Sequence, residues 1–213
     1  MTKPTETTPA TVPLAQQAGE TLSRWRWVQP CAWTVRMLTT LEQGVEGGKW
    51  FRLFDKVFAE RNLWAAFQQV AANRGAAGVD HVTVQEFQRR LPDSLWELAD
   101  QLRSGTYQPQ AVRRTYIPKP GSTETRPLGI PTVKDRVVQM AVKLVIEPIF
   151  EADFVPCSFG FRPEKTPRMA LSIIAEKTQA GYSHVVDVDL KSYLDTASYC
   201  PLIHESSSNK SGI

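Results

Sequence analysis

The 213-residue chain is 42% hydrophobic and 22% charged, with 12 Gly and 15 Pro, the make-up of one folded domain or two small ones. That composition excludes collagen-like and wholly disordered chains, and no run of about 18 apolar residues exists to cross a membrane. Net charge is +3, but the stretch 103–143 holds eight Lys and Arg against two acidic residues, net +6, which leaves −3 for the rest. A basic segment in a nearly neutral chain suits phosphate partners, although a solvated charged face reads the same on charge alone.

The N-terminal stretch M-T-K-P-T-E-T-T-P-A-T-V-P-L has no apolar signal core and few basic residues, so the expected location is the cytoplasm. Cys31, Cys157 and Cys200 are odd in number and far apart, no C-x-x-C occurs, and His81, His184 and His204 are scattered. These point to packing residues in a reducing compartment rather than to a zinc site or disulfide framework.

In chain order, residues 1–24 are expected to be a disordered tail, Thr- and Pro-rich through residue 13. Residues 25–110 read as a helical region. An aromatic-rich stretch from Trp25 leads into a helix broken by Gly44, Gly47 and Gly48. Phe54, Val57 and Phe58, then Leu63, Trp64, Phe67 and Val70, recur at helical spacing on either side of Asn62 and are expected in the core. Asn73-Arg74-Gly75 ends this pair, and Gly75 to Asp80 form a loop. Thr83 with Glu86 is a capping box opening a short helix with Val84, Phe87 and Leu91. Ser94 with Glu97 is a second, opening a helix with Leu95, Leu98, Ala99 and Leu102 that Gly105 closes.

The texture changes at Ala111. Residues 111–117 favour strand, Pro118-Lys119-Pro120-Gly121-Ser122 is turn chemistry, and 125–130 return as the second arm of a hairpin bearing Arg113, Arg114, Lys119 and Arg126. Thr132 with Asp135 caps a helix over 133–147, striped by Val137, Met140, Ala141 and Leu144 and ended by Pro148. A loop through Phe159-Gly160-Phe161-Arg162-Pro163 leads to a helix near 167–179, closed by Gly181, and then to a strand over 184–190. Residues 197–213 form a tail with no amphipathic period. No internal repeat is visible.

Two signals carry chemistry, each weak alone. Along strand 184–190, Val186, Val188 and Leu190 would face one way and Asp187 and Asp189 the other. A carboxylate delivered at a strand end suits a hard cation such as Mg²⁺, though a turn or cap role is the commoner use. Lysine and arginine on a Pro-stiffened hairpin can neutralise a triphosphate, but charged hairpin edges are also ordinary.

Their order lifts both. T-Y-I-P-K-P-G-S-T-E-T-R-P-L-G-I-P-T-V-K-D-R-V-V-Q-M-A-V-K-L-V-I-E-P-I-F-E-A-D-F at 115–154 resembles the fingers of group II intron-encoded reverse transcriptases. S-F-G-F-R-P at 158–163 resembles their next block, V-V-D-V-D-L-K-S-Y-L-D at 185–195 their first catalytic palm block, and G-A-A-G-V-D at 75–80 the stretch upstream of the fingers. The likeness covers about residues 50–196. It implies an α+β fold: a helical N-terminal region, a small antiparallel fingers sheet and a partial polymerase palm, with residues 111–196 as fingers and first palm strand.

The resemblance further implies that Asp189 binds Mg²⁺ in a two-metal polymerase mechanism, with Leu190 offering its carbonyl to a metal. Lys119 and Arg126 match residues that hold the incoming nucleotide's triphosphate. Gln139 and Arg162 lie in blocks that shape the template–primer channel, and Arg113 and Arg114 would touch template or intron RNA. The implied partners are intron RNA and a DNA target.

Two departures stand out. Leu194 occupies the position where the family usually has an aromatic against the nucleotide sugar. The family's further catalytic carboxylates come from a downstream Y-A-D-D hairpin, whereas this sequence contains no D-D pair. The expectation is therefore a truncated, frameshifted reverse transcriptase that is catalytically inactive as this chain. An RNA-binding fragment and a non-functional remnant are the alternatives.

Overall fold

The computed structural model describes residues 14–44, 52–121 and 123–190. The chain divides into two units, one running to Thr166 and the other from Pro167. The first holds α1 (Leu14–Arg24), α2 (Val35–Gln43), α3 (Leu53–Val57), α4 (Glu60–Ala72), α5 (Val84–Arg89), α6 (Asp93–Ser104), strands β1 (Arg113–Pro118) and β2 (Thr125–Ile130), and α7 (Val133–Asp153). The second holds α8 (Pro167–Gln179). The α+β expectation is met: helices dominate, and one two-stranded antiparallel hairpin supplies the sheet among the described residues.

α7 is the axis of the first unit. Its buried stripe of Val133, Val137, Val138, Ala141, Leu144 and Val145 packs against α2, α3, α4 and α5. α4 presents Leu63, Ala66, Phe67 and Val70 to that core, and α6 adds Leu95, Leu98 and Leu102. Phe67 stacks on Phe87 of α5 with centroids 5.6 Å apart, which joins the capping-box helix to the same core. The Thr83–Glu86 box forms as read from the sequence, with both reciprocal bonds present.

A buried amide holds this apolar packing in register. Asn62, with no exposed surface, donates through Nδ2 to the Val57 carbonyl at 3.2 Å and the Ala141 carbonyl at 3.0 Å. Its Oδ1 accepts from the Cys31 thiol at 3.8 Å, and burial pushes that thiol's pKa up. One amide thus ties α3, α4, α7 and the segment after α1 together. Asn62, a polar position among apolar ones in the sequence, is a core residue whose polar atoms are all spoken for.

Several sequence expectations are corrected. Residues 14–24, placed in a disordered tail, form α1, which Glu42 of α2 holds by accepting from the Thr21 hydroxyl at 2.8 Å and the Trp25 indole at 3.0 Å. Residues 1–13 lie outside the described residues. Ser94 does not cap α6: the helix begins at Asp93, with Pro92 at the N-cap and no side-chain cap bond. Phe54 and Trp64 share the helical period of the core yet are 55% and 43% exposed, so they lie on its rim.

Pro148 does not end α7 but sits inside it, fully buried. It lacks the N–H that would bond to the Leu144 carbonyl. In the same turn the buried Trp33 indole donates to the Val145 carbonyl at 3.2 Å, and the helix runs on to Asp153. The packing around a buried proline offsets its local cost.

In the second unit α8 forms as expected and Gly181 follows it at φ +94°, a backbone that favours glycine. The strand expected over 184–190 does not form. These residues carry neither helix nor strand, and Val186 and Val188 are 86% and 78% exposed. A strand needs a neighbour to take its N–H and C=O groups, and no described strand lies beside this one. Leu194 and the tail over 197–213 fall outside the described residues.

Glycines explain how the loop 75–80 seats on the start of α7. A Cβ on Gly78 would lie 2.6 Å from the Thr132 Cα and 2.8 Å from its nitrogen, both backbone atoms that cannot move aside. A Cβ on Gly75 would meet only the tip of the Arg136 side chain, which can. Gly78→Ala is therefore expected to destabilise the fold by about 2 kcal/mol through overpacking, and Gly75→Ala by less. Denaturant titration of the two variants measures the difference.

Candidate nucleic-acid interface

The hairpin carries four of the sequence-predicted site residues. Its register pairs Arg113 with Ile130, Arg114 with Gly129, Thr115 with Leu128, Tyr116 with Pro127, Ile117 with Arg126 and Pro118 with Thr125. Directly opposed residues share a face, so Arg113 and Arg126 fall on one side and Arg114 on the other. Arg113 and Arg114 stand at the base. Arg126, opposite Ile117, stands about 13 Å from Arg113 along the strand at the usual rise, and Lys119 lies beyond it at the tip.

The base is pinned from both arms. Asp135, 3% exposed at the start of α7, accepts from the Tyr107 hydroxyl at 2.5 Å, the Gln110 backbone N–H at 3.2 Å and the Thr132 hydroxyl at 2.7 Å. Gln110 leads into β1, and Thr132 follows β2 and caps α7 by accepting from the Asp135 N–H at 3.1 Å. One buried carboxylate therefore fixes both ends of a hairpin that would be marginal alone. The Tyr107 hydroxyl has its pKa raised well above the usual tyrosine range, by burial first and by its bond to Asp135 second.

The four cations differ in availability. Arg114 and Arg126 are exposed. Lys119 pairs across the tip with Glu124, Nζ to Oε2 2.6 Å, while its N–H donates to the Glu124 carbonyl at 2.9 Å. Arg113 is half-buried, and its Nε is enclosed without a hydrogen bond.

Arg162 lies elsewhere and is fully engaged. Its guanidinium grips Glu151, Nη2 to Oε1 2.6 Å and Nε to Oε2 3.0 Å. It also donates to the carbonyls of Val155 at 2.9 Å and Ser158 at 2.7 Å, and lies over the Phe154 ring. With its side chain only 7% exposed, it clamps the turn after α7. The bond to Glu151 strengthens its hold on the proton.

Gln139 is exposed on α7 and borders a pocket of about 180 Å³ with Val70, Asn73, Arg136 and Met140. Sequence reading passed over Arg136, which donates to the Ala76 carbonyl at 2.7 Å and so fastens the loop 75–80. Burial lowers its pKa, and Asp80 opposes that shift. The glycine spacing of G-A-A-G-V-D was the available signal.

Asp189 and Leu190 close the described part of the second unit in an exposed segment. Among the described residues no three His, Cys, Asp or Glu side chains gather as a metal site. One carboxylate and one carbonyl fall short of the six oxygens Mg²⁺ favours, so no chemical step through that ion follows from this arrangement. No described helix is long and apolar enough to cross a membrane.

No protein-family model matches the chain. Among curated proteins, it is 45% identical to the protein YkfC of Escherichia coli K12 over 123 residues, 56% of this chain and 32% of that one. It is 34% identical to the group II intron-encoded protein LtrA of Lactococcus lactis subsp. cremoris over 154 residues, 71% of this chain and 25% of that one. A shorter match, 40% over 62 residues, joins 29% of this chain to 8% of nuclear intron maturase 2, mitochondrial, of Arabidopsis thaliana. The chain thus spans about a quarter to a third of the length of the first two. Relatives named for intron-encoded proteins and maturases, met by a chain with the fingers motifs and their hairpin, place it in the group II intron-encoded reverse transcriptase/maturase family.

Proposed function

We propose that this chain is the fingers-bearing segment of a group II intron reverse transcriptase, and that the 213-residue polypeptide by itself binds RNA without polymerising. In this reading residues 25–110 are the helical platform and 111–196 the fingers and start of the palm. The observation that carries it is the pinned hairpin, with four cations against the single carboxylate of Glu124. Fixed cations at fixed spacing suit the phosphates of a structured RNA such as the intron.

Within a complete polymerase, Lys119 and Arg126 at the hairpin tip would hold a nucleotide triphosphate, and Asp189 with the Leu190 carbonyl would contribute to the Mg²⁺ site. Two-metal transfer needs further carboxylates, and no adjacent Asp pair occurs in these 213 residues. Primer extension by this polypeptide is expected to give no product.

The test is RNA affinity of the full chain against salt. Binding that weakens linearly on a log–log plot supports the reading. A chain that binds no RNA at low salt, while unfolding cooperatively on heating, removes it.

A further inference from the structure

We infer that the open face of the hairpin stacks an unpaired nucleobase on Tyr116, an inference that rests on the RNA-binding reading above. The register divides the hairpin into two unlike faces. Arg113, Thr115 and Ile117, with Arg126, Leu128 and Ile130 opposite, lie on one side, where Arg113, Ile117 and Ile130 are half-buried and the other three exposed. Arg114, Tyr116 and Pro118, with Pro127 and Gly129 opposite, lie on the other, and all five are exposed.

Tyr116 is 60% exposed, and among the described residues no aromatic ring packs on it. Pro127 stands directly opposite, and the Val112 side chain lies over Gly129, where a Cβ would come within 3.1 Å of it. The neighbours of the ring are therefore low and apolar. Arg114 is two residues back on the same face, about 7 Å along the strand.

That combination chooses among occupants. An apolar protein surface would be served by the ring and prolines but not by the excess of cations. Duplex RNA offers phosphates but hides its bases inside the helix. A single-stranded stretch offers a base to the ring and a phosphate to Arg114 together, and stacking on an aromatic tolerates any base. Tyr116 is then the residue that distinguishes unpaired from paired RNA on a surface otherwise attracted to both.

The experiment uses the full chain, single-stranded oligouridine and a blunt RNA duplex of equal length, with anisotropy as readout and thermal melting as the fold control. Tyr116→Ala is expected to weaken oligouridine binding about tenfold, leaving duplex binding and the salt slope as in the parent. Tyr116→Phe, which keeps the ring, should bind like the parent. Arg114→Ala should weaken both RNAs and flatten the salt dependence. Parent-like oligouridine binding by Tyr116→Ala, or equal losses on both RNAs, would overturn the stacking role and leave the RNA-binding reading standing. Parent protein that binds neither RNA would overturn both. Self-association abolished by Tyr116→Ala, with RNA binding unchanged, would reassign the face to protein contact.

Discussion

Replacing Asp135 by alanine is expected to cost about 3 kcal/mol of stability, a fall of roughly 10 °C in melting temperature for a domain of this size. The carboxylate is buried and accepts from a tyrosine hydroxyl, a backbone N–H and a threonine hydroxyl. Alanine leaves those donors facing a void that no other acceptor fills. Asp135→Asn keeps the shape and can donate from Nδ2 to the Tyr107 hydroxyl oxygen while Oδ1 accepts from Gln110 and Thr132, so it should recover much of the loss, short of the strength the carboxylate's charge adds. Tyr107→Phe removes one bond only and is expected to cost about 1 kcal/mol.

The same pair makes a pH prediction. The Tyr107 pKa is raised in the fold, so the native state keeps a proton that an unfolded tyrosine releases above about pH 10. The bond's contribution is whole below that pH and declines as pH rises through the folded value. Melting temperatures taken upward from pH 9 should fall more steeply for the parent than for Tyr107→Phe.

The second large effect concerns affinity. Arg114→Ala and Arg126→Ala together are expected to reduce the slope of log affinity against log salt by about 1.5, since two exposed cations no longer release counterions. Arg113→Ala should change the slope less, because its guanidinium is partly enclosed. Glu124→Gln should have the opposite sign. It frees Lys119 from its 2.6 Å partner and removes the hairpin's one negative charge, so RNA binding should tighten a few-fold. Equal slopes across this series would place the RNA contact on another surface. A loss of binding on Glu124→Gln would make the ion pair a structural need of the tip.

Local chemistry was legible wherever the information lies within a few residues. The period of α4 and α7, the Thr83–Glu86 box, the Thr132 cap and the hairpin arms follow from spacings of two to four residues. The family was legible too, because the motifs at 75–80, 115–154, 158–163 and 185–195 are continuous strings.

Tertiary structure decided what depends on distant partners. Asn62 becomes a core residue only because the Ala141 carbonyl, 79 positions away, takes its amide. Pro148 stays inside a helix because the core buries it, with Trp33 bonded to the same turn from 112 positions away. Arg162 looks like a free cation in the string S-F-G-F-R-P, yet the fold spends its donors on Glu151 and two carbonyls. The valines of 184–190 have a strand's alternation but no neighbour, and alternation alone does not satisfy a backbone. Charge and motif can be read along a line. Which cation stays open to solvent, and which face of a hairpin a ligand can reach, depend on groups the chain brings together only when folded.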